Sequence, residues 1–398
     1  MKQQTTDIDL SQYSFVIFGN SRFGGYYHRE QAIAHELARR GYQVVFIEEM
    51  PSLAAELRRQ FRRMFSKQAI DEQSVNTEQL DSMKVLRPPV IPTLFRSSYT
   101  PIIDKWIFKA WFYKRFSTCD WNKTIAIVML PYWWCGFISN KKYPFKLIHY
   151  DVYDLIEVSS RNKKALSRMK EGESRLRNEI GLVTFSARSM KASISQSFPK
   201  SAQLCIPNAT SEEFIFHAIG EKPDRRIKKN VGFIGSLDPR WLDTELILHT
   251  IESFPIYDFY ICGSVDRTYA HKLIKYPNVK LIDFKNHIQL AYLVATFDVG
   301  LIPFKQNKIT QVVNPLKLYE YFAAGIPVVA MRTVELEYYR DMIYLSDTRE
   351  EFVQNLNRSL ADDNNQKRLE RREWAKMNTW KHRIDEYIST LEKVLKTK

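Results

Sequence analysis

The chain has 398 residues, enough for two or three domains of ordinary size, and its 44% content of hydrophobic residues excludes wholesale disorder. The net charge of +14 at pH 7 indicates an anionic partner, which is nucleic acid, an anionic membrane face or a phosphate-rich ligand. The sequence lacks the basic-aromatic motifs of known nucleic-acid modules, so we expect no nucleic-acid partner.

The N-terminal residues are polar and lack the apolar stretch of a secretory signal, and no later run reaches the length of a membrane-spanning helix. The four cysteines form neither a C-x-x-C pair nor the Cys/His spacing of a metal site. We therefore expect reduced thiols in a reducing compartment and a cytoplasmic chain.

The first predicted elements form a βαβ unit. A strand over 14–18 runs into a loop that contains Gly24 and Gly25, and a helix follows over about 27–40, where apolar residues recur at helical spacing. Gly41 is typical of a helix C-terminal cap, and an apolar strand follows over 44–49. This order of elements predicts a parallel sheet.

Two basic segments with bulky apolar residues follow. In the first, five basic residues lie at helical spacing beside Leu57, Phe61, Met64 and Phe65: Arg58, Arg59, Arg62, Arg63 and Lys67. In the second, residues 101–116 mix Trp, Phe and Tyr with Lys and Arg. Such helices suit a surface of anionic lipid headgroups, which predicts a peripheral membrane contact. The alternative is a solvated basic face beside an aromatic helix that packs in the core.

Further strands are predicted over 124–130, 146–150, 181–185 and 203–206, with a charged helix over 160–178. Residues 207–210 and the polar stretch 212–229 are interpreted as a linker. A second series follows, with strands over 230–234, 258–262, 279–282, 299–302 and 328–330, and residues 346–398 are predicted to be helical. Two such series predict two open parallel sheets, whose carboxyl ends bind ligands.

The most informative motif is Asn314-Pro315-Leu316-Lys317, followed by Glu320. Proline is favoured in the first turn of a helix, and the free amides there form an anion site that Lys317 would reinforce. One turn later, the Glu320 carboxylate could accept hydrogen bonds from a ribose diol. The alternative is an ordinary helix that exposes a Lys-Glu pair.

This motif, preceded by residues 297–305, resembles the donor-binding half of GT-B glycosyltransferases. The resemblance is closest to a family 4-like group that includes teichuronic-acid and exopolysaccharide enzymes, and more distant to the xanthan glucuronosyltransferase. Residues 232–237 look like the strand and glycine loop that open the donor domain, and 206–208 with Phe214 resemble the entry to it. Residues 29–41 resemble the first helix of the acceptor domain. Trp380 and Arg383 resemble residues of the family's closing C-terminal helix.

The resemblance implies an α/β fold of the GT-B type, with two Rossmann-like, doubly wound parallel-sheet domains and a cleft between them. Residues 1–208 would form the acceptor-binding domain and 209–377 the donor-binding domain. The C-terminal helix, about 378–398, would pack back on the first domain. GT-B enzymes usually work without a bound metal, so the resemblance implies no metal and no other cofactor.

Two departures from the family pattern affect the donor site. Val312 stands where many family 4 enzymes have the first of two glutamates, and Glu320 matches the second, which contacts the nucleotide ribose. Ser236, which follows Gly235, stands where many relatives have a phosphate-binding arginine. Three cations are candidates to offset the pyrophosphate charge instead: Arg240, Lys305 and Lys317. Of these, Lys317 matches a lysine of the xanthan-type enzyme.

The acceptor side of the resemblance indicates a catalytic base. An inverting transferase needs a base for the proton of the acceptor hydroxyl, and Asp154 matches the catalytic aspartate of the xanthan-type enzyme, with Asp151 in reserve. Each carboxylate could instead cap a helix or serve the fold. Acceptor contacts are expected from Gly24, Gly25, His28 and Arg29, where Arg29 would hold a phosphate in bidentate fashion and His28 could simply begin the helix.

Together these features predict a glycosyltransferase that uses a nucleotide-sugar donor, with UDP-sugar favoured. Its acceptor would be a polysaccharide precursor or a lipid-linked glycan at the inner face of the cell membrane. A nucleotide-sugar epimerase and a non-catalytic sugar-binding or nucleotide-binding subunit of a polysaccharide complex are the alternatives. The sugar, the nucleotide base, the acceptor and the stereochemical outcome stay open.

Overall fold

The computed structural model describes residues 9–23, 27–53, 56–57, 60, 80–91, 102–156, 163–219, 228–265, 267–283 and 286–397. Gly24, Gly25 and most of the basic segment 58–67 lie outside these residues. The chain divides into two compact units. Unit 1 comprises Met1–Ser186, Met190–Ile206 and Ile384–Lys398, and unit 2 comprises Ala187–Ser189 and Pro207–Arg383. The assignment of acceptor and donor binding to separate domains stays a prediction.

Unit 1 is built on a seven-stranded sheet in the order β3-β2-β1-β4-β5-β6-β7, and all its strand pairs are parallel. The strands are β1 (Ser14–Phe18), β2 (Gln43–Ile47), β3 (Met83–Leu86), β4 (Thr124–Val128), β5 (Leu147–Val152), β6 (Leu182–Phe185) and β7 (Ala202–Cys205). Every residue of β4, β5 and β6 is buried, as expected for central strands that are covered on both faces. Edge strand β3 is short and half exposed, and the sequence analysis missed it.

The described helices of unit 1 are α1 (Arg29–Arg39), α2 (Ile102–Arg115), α3 (Lys163–Leu176) and α4 (Lys191–Ser197). Helix α1 is followed by Arg40, its C-cap residue, and then by Gly41, whose φ of +85° is the left-handed conformation predicted for the glycine that terminates a helix. Helix α2 buries the side chains of Phe108 and Phe112, and Phe116, directly after the helix, is buried as well. The Phe112 and Phe116 rings stack with their centres 4.4 Å apart. One face of this aromatic segment is therefore part of the core, as the alternative interpretation held.

Unit 2 contains a six-stranded sheet in the order β10-β9-β8-β11-β12-β13, again entirely parallel. The strands are β8 (Asn230–Ile234), β9 (Asp258–Cys262), β10 (Val279–Ile282), β11 (Val299–Ile302), β12 (Val328–Met331) and β13 (Tyr344–Ser346). The five predicted strands of this half are all present, and the three-residue β13 adds an edge that the sequence analysis missed. The two sheets confirm the predicted fold class.

The described helices assigned to unit 2 are α5 (Glu212–Ala218), α6 (Thr244–Ser253), α7 (Arg267–Leu273), α8 (His287–Ala295), α9 (Leu316–Ala323), α10 (Arg349–Ala361) and α11 (Asn365–Lys376). The interpretation of 212–229 as linker was wrong for α5. Ser211 caps this helix by accepting from the Phe214 amide, and the buried Phe214 anchors it in the core.

The last helix, α12 (Trp380–Lys396), begins in unit 2 and continues in unit 1 from Ile384. Within unit 1, Asp385 accepts from Arg40 at 2.7 Å, and the buried Tyr387 ring lies 4.9 Å from the His149 ring. None of the helices in the described ranges is long and apolar enough to cross a membrane. The four cysteines are unpaired with one another.

Candidate functional site

Helix α9 is held against the sheet of unit 2 by an aromatic side chain that fits over a glycine. A Cβ on Gly300 would lie 2.5 Å from the Tyr321 ring, so only glycine allows this approach. The Tyr321 hydroxyl accepts from the Ile234 amide at 3.2 Å and is buried among the central strands. These contacts fix the start of α9 close to the carboxyl ends of β8 and β11.

Asn314 organises the turn that precedes α9. Its side chain is buried and donates to Glu335 at 3.1 Å and to the Tyr339 hydroxyl at 2.9 Å. Its amide oxygen accepts from the backbone of Asn208 at 3.0 Å. Because the Asn314 side chain is satisfied by the protein, the structure gives it a positioning role for Pro315, which is the N-cap residue of α9.

Lys317 extends from the first turn of α9 toward the glycine loop after β8. Its Nζ atom lies 5.1 Å from the centre of the Phe233 ring and 5.2 Å from that of Phe304, both at cation–π distance. The same atom would lie 3.5 Å from a Cβ built on Gly235. The structure therefore brings Lys317 to Gly235, and both were assigned to the donor site by the sequence analysis, as was Leu316, which precedes Lys317 in the same helical turn.

Glu320 lies one turn further along α9 and is 5% exposed. Burial raises the pKa of Glu320 to about 7, although the charge of Lys317 acts to lower it. Burial likewise lowers the pKa of Lys317 to about 8, although the charge of Glu320 acts to raise it. Within the described part of the chain, neither side chain forms a hydrogen bond or an ion pair. Buried carboxylates in proteins are nearly always hydrogen-bonded, so the buried Glu320 carboxylate and the half-buried Lys317 ammonium have the character of a ligand site.

The loops after β8 and β9 approach each other at two glycines. Gly235 has a φ of +122° and Gly263 one of +136°, and a Cβ on Gly263 would lie 2.2 Å from the Gly235 carbonyl oxygen. Ser264 donates its hydroxyl to the Ser236 hydroxyl at 2.9 Å. Two glycine turns at the carboxyl ends of neighbouring parallel strands leave backbone exposed for a ligand.

The other two candidate cations are bound by the protein itself. Arg240 donates to Asp238 at 2.7 and 2.9 Å and lies 4.7 Å from the Trp241 ring. Lys305 donates to the Pro239 carbonyl at 2.7 Å. Both side chains therefore stabilise the loop after β8, and of the three candidates Lys317 alone has no hydrogen-bond acceptor among the described residues. The sequence analysis did not anticipate the pairing with Asp238, two residues from Arg240.

In unit 1, Arg29 and Asp151 form a buried bidentate ion pair. Arg29 Nε donates to Asp151 Oδ2 at 2.7 Å and its second amino group to Oδ1 at 2.9 Å, while the third nitrogen donates to the Ile206 carbonyl at 2.8 Å. The two side chains are 5% and 0% exposed. This geometry gives Arg29 a structural partner in place of the predicted acceptor phosphate, and it leaves Asp151 poorly placed to act as the reserve base.

A hydrogen-bond chain extends from this pair through β5 and β6. Thr184 donates to Asp151 and lies 2.7 Å from His149 Nε2. Burial alone would raise the pKa of Asp151, but the charge and hydrogen bonds of Arg29 bring it below its ordinary value. Burial lowers the pKa of His149 to about 4, so this imidazole is neutral at pH 7. Neither Thr184 nor His149 was predicted to belong to the site.

Asp154 follows β5 and differs from Asp151 in its surroundings. Its side chain is exposed, yet the surrounding protein atoms limit its hydration and raise its pKa to about 7, while Arg29 acts in the opposite direction. His28, at the N-cap of α1, is also exposed, and its amide donates to Gln31 at 3.0 Å. Asp154 is thus an accessible carboxylate with a pKa near neutrality, as a general base requires.

The loop between β1 and α1 is ordered by an acid that the sequence analysis missed. Glu30 is buried in the first turn of α1, where its carboxylate accepts from the Asn20 amide at 2.7 Å and from the Ser21 hydroxyl. Asn20 donates its side-chain amide to the Tyr153 hydroxyl at 2.9 Å. Through these contacts α1 fixes the residue next to Asp154. Among the described residues no cluster of three or more His, Cys, Asp or Glu could hold a metal ion.

Comparisons with known proteins agree with this description. A family model described as glycosyl transferase-like matches residues 240–389. TuaH of Bacillus subtilis (strain 168), named as a teichuronic acid biosynthesis glycosyltransferase, is 33% identical over 124 residues, which are 29% of this chain and 31% of the relative. The match thus spans about a third of that protein's length.

Solved structures match nearly the whole chain. A sucrose-phosphate synthase from Thermosynechococcus elongatus superposes with a TM-score of 0.69 at 14% identity, covering 97% of this chain and 100% of that one. HepE of Anabaena, in complex with UDP and glucose, superposes with a TM-score of 0.63 at 12% identity, covering 95% and 99%. The chain has the GT-B fold, and its residues 240–389 match a family model described as glycosyl transferase-like, which confirms the resemblance to GT-B glycosyltransferases that the sequence predicted.

Proposed function

We propose that the chain is a glycosyltransferase that moves a sugar from a nucleoside-diphosphate sugar, a UDP-sugar, onto a hydroxyl of an acceptor. The observation that carries this proposal is the pair Lys317 and Glu320 on helix α9. Lys317 lies beside Gly235, and neither side chain is hydrogen-bonded to the described residues. An ammonium and a carboxylate on one helix face match the two polar parts of a nucleoside diphosphate, its pyrophosphate and its ribose diol.

In the proposed donor complex, the diphosphate lies against the first turn of α9. The amides of that turn and the positive end of the helix favour an anion, and Lys317 adds a full charge. Gly235 and Ser236 provide backbone and a hydroxyl beside it, and Glu320 accepts hydrogen bonds from the ribose. When the sugar departs, the bond between its anomeric carbon and the phosphate oxygen breaks, and these groups stabilise the charge on the diphosphate.

Asp154 is the proposed base for the acceptor. Its carboxylate takes the proton of the acceptor hydroxyl while the hydroxyl oxygen forms the new bond to the anomeric carbon. The exposure of Asp154 and its pKa of about 7 support this role. Asp151 supports it indirectly, since its pairing with Arg29 fixes the end of β5 that carries Asp154.

The acceptor is proposed to be a polysaccharide precursor or a lipid-linked glycan at the inner face of the cell membrane. The name of the Bacillus subtilis relative, which refers to teichuronic acid biosynthesis, supports a cell-envelope glycan. The excess of basic residues, 59 against 45 acidic ones, suits an anionic membrane face or a phosphorylated acceptor. No metal is proposed for the reaction.

A thermal-shift screen against nucleoside diphosphates tests the donor site. A ligand at 100-fold its Kd adds about 2.7 kcal/mol of stability, so we expect UDP to raise the Tm by several degrees. Lys317→Ala and Glu320→Ala should each raise the UDP concentration needed for the same shift in Tm roughly ten-fold or more, since each removes a charged hydrogen-bonding group.

Matched controls on the same unit are Lys308→Ala and Glu213→Ala, which remove the same charges from exposed side chains. Both should bind UDP like the unaltered chain. If no nucleoside diphosphate stabilises the protein, or if Lys308→Ala weakens UDP binding as much as Lys317→Ala does, the donor site is refuted.

A further inference from the structure

Helix α2 has a second apolar face that the core does not use. Ile103, Trp106 and Tyr113 are 60%, 69% and 69% exposed. They are separated by three and seven residues, so they lie on one side of the helix. Phe108 and Phe112 on the opposite side are fully buried, and Phe108 lies 5.6 Å from the Trp133 ring. The aromatic packing beneath the helix therefore holds the exposed side chains outward.

Basic side chains flank this exposed face. Helix α2 carries Lys105, Lys109, Lys114 and Arg115, and its single acidic residue, Asp104, is completely buried. The neighbouring turn adds the exposed Lys141 and Lys142. The Tyr143 ring of this turn packs against the Phe112 ring of α2 with their centres 4.8 Å apart, and Lys142 Nζ lies 5.1 Å from the centre of the Tyr143 ring, so the Lys142 ammonium lies beside α2.

We infer that the exposed face of α2, formed by Ile103, Trp106 and Tyr113 and flanked by Lys109 and Lys142, docks on the anionic lipid surface of a bilayer. Trp and Tyr combine an apolar ring with a polar atom and are favoured at the level of the headgroups. The lysines match the negative charge of that surface, and neighbouring ammonium groups suit a phosphate better than a neutral partner. This inference deepens the proposed membrane contact and rests on it, and it names the surface that makes the contact.

Vesicle sedimentation with the full chain tests the surface. The chain should bind vesicles of equal parts phosphatidylglycerol and phosphatidylcholine and should not bind pure phosphatidylcholine. Lys109→Gln with Lys142→Gln should weaken binding roughly 25-fold at low salt, since each lysine near an anionic surface contributes about five-fold. Trp106→Ser with Tyr113→Ser should weaken it about ten-fold through lost apolar burial.

Two matched double variants serve as controls. Lys191→Gln with Lys200→Gln makes the same charge change at exposed sites of unit 1, and Phe216→Ser with Ile256→Ser removes apolar side chains of similar exposure from unit 2. Both should retain binding. A further variant, Trp106→Phe, should still bind but should lose much of the quenching of tryptophan fluorescence by bromine-labelled lipid.

The outcomes separate this inference from the proposed function. Binding of UDP without binding to anionic vesicles would overturn the lipid surface and leave the donor site intact. Vesicle binding that the α2 variants reduce, without stabilisation by UDP, would refute the donor site and leave the surface. Equal losses in the α2 variants and in their controls would refute α2 as the contact.

Discussion

Lys317 places its ammonium 3.5 Å from the point where a Cβ on Gly235 would stand. The two residues are 82 positions apart in sequence: Gly235 directly follows strand β8, and Lys317 lies in the first turn of helix α9. The absence of a side chain at Gly235 leaves the space beside the ammonium open. A ligand phosphate could therefore approach both the charge and the backbone of the glycine turn.

Gly235→Ala tests whether this space is used. The φ of +122° strains any residue with a Cβ, so we expect a loss of about 1–3 kcal/mol in the free energy of unfolding. We also expect weaker binding of UDP in a thermal-shift titration, because the methyl group lies beside Lys317. Gly41→Ala is the control, since its φ of +85° is also left-handed but no atom lies within 4 Å of its Cβ. It should lose stability and bind UDP normally, and equal affinities in the two variants would contradict the role of Gly235.

Glu320 should give the ligand-free protein a pH-dependent stability. Its pKa rises from 4.5 to about 7 on folding, so the folded chain binds this proton more tightly than the unfolded chain does. The resulting stabilisation is fully present below pH 4.5 and is lost as the pH rises through 7. Glu320→Gln removes this loss. The variant should therefore be more stable than the unaltered chain by about 1–2 kcal/mol at pH 8 and by little at pH 5, as measured by chemical denaturation.

Lys317 acts in the opposite sense. Its pKa falls from 10.5 to about 8, so its contribution is present above 10.5 and is lost as the pH falls through 8. The control for Glu320→Gln is Glu213→Gln, which makes the same substitution on an exposed side chain. A stability difference for Glu320→Gln that stays constant from pH 5 to pH 8 would show that burial does not perturb this carboxyl.

Asp154→Asn should abolish turnover and leave binding of the donor nucleotide unchanged. Removal of a general base costs roughly 10²- to 10⁴-fold in rate, while the UDP-dependent shift in Tm should stay unchanged because no donor residue is altered. In the unaltered enzyme, kcat/KM should rise with pH up to about 7, as Asp154 loses its proton, and should fall above about 8 as Lys317 loses its charge. A variant that turns over at the normal rate, or a rate that is flat from pH 5.5 to 7, would remove Asp154 from the mechanism.

The sheet strands of both units could largely be predicted because central parallel strands are continuous apolar runs. Thr124–Val128 and Val299–Ile302 are examples, since every residue in them is buried. The missed strands, Met83–Leu86 and Tyr344–Ser346, are short edges that carry polar or half-exposed residues. Helix Glu212–Ala218 was taken for linker because it is only seven residues long and begins with Glu212 and Glu213, so its few buried residues form too short a pattern to indicate a helix.

The candidate site could be predicted only in part. Lys317 and Glu320 were identifiable because they share one helix with a distinctive start at Pro315. The pairing of Arg29 with Asp151 could not be identified, since Asp151 is 122 residues away in sequence and the ion pair forms only when β5 and α1 meet. Charge spacing along a sequence does not show which cations a folded chain pairs with its own carboxylates.

The pair Arg29 and Asp151 provides a test that separates structural support from acceptor binding. Arg29→Ala leaves a buried carboxylate without its ion pair, which should cost about 3–5 kcal/mol in the free energy of unfolding. The control Arg175→Ala removes an exposed partner of Glu171 and should cost at most about 0.5 kcal/mol. The double variant Arg29→Met with Asp151→Leu should recover most of the lost stability, because replacing both ions by apolar groups removes the uncompensated charge. If instead Arg29→Ala unfolds at the same denaturant concentration as the unaltered chain and loses only affinity for the acceptor, the guanidinium serves the acceptor phosphate, and the ion pair with Asp151 is not what maintains the end of β5.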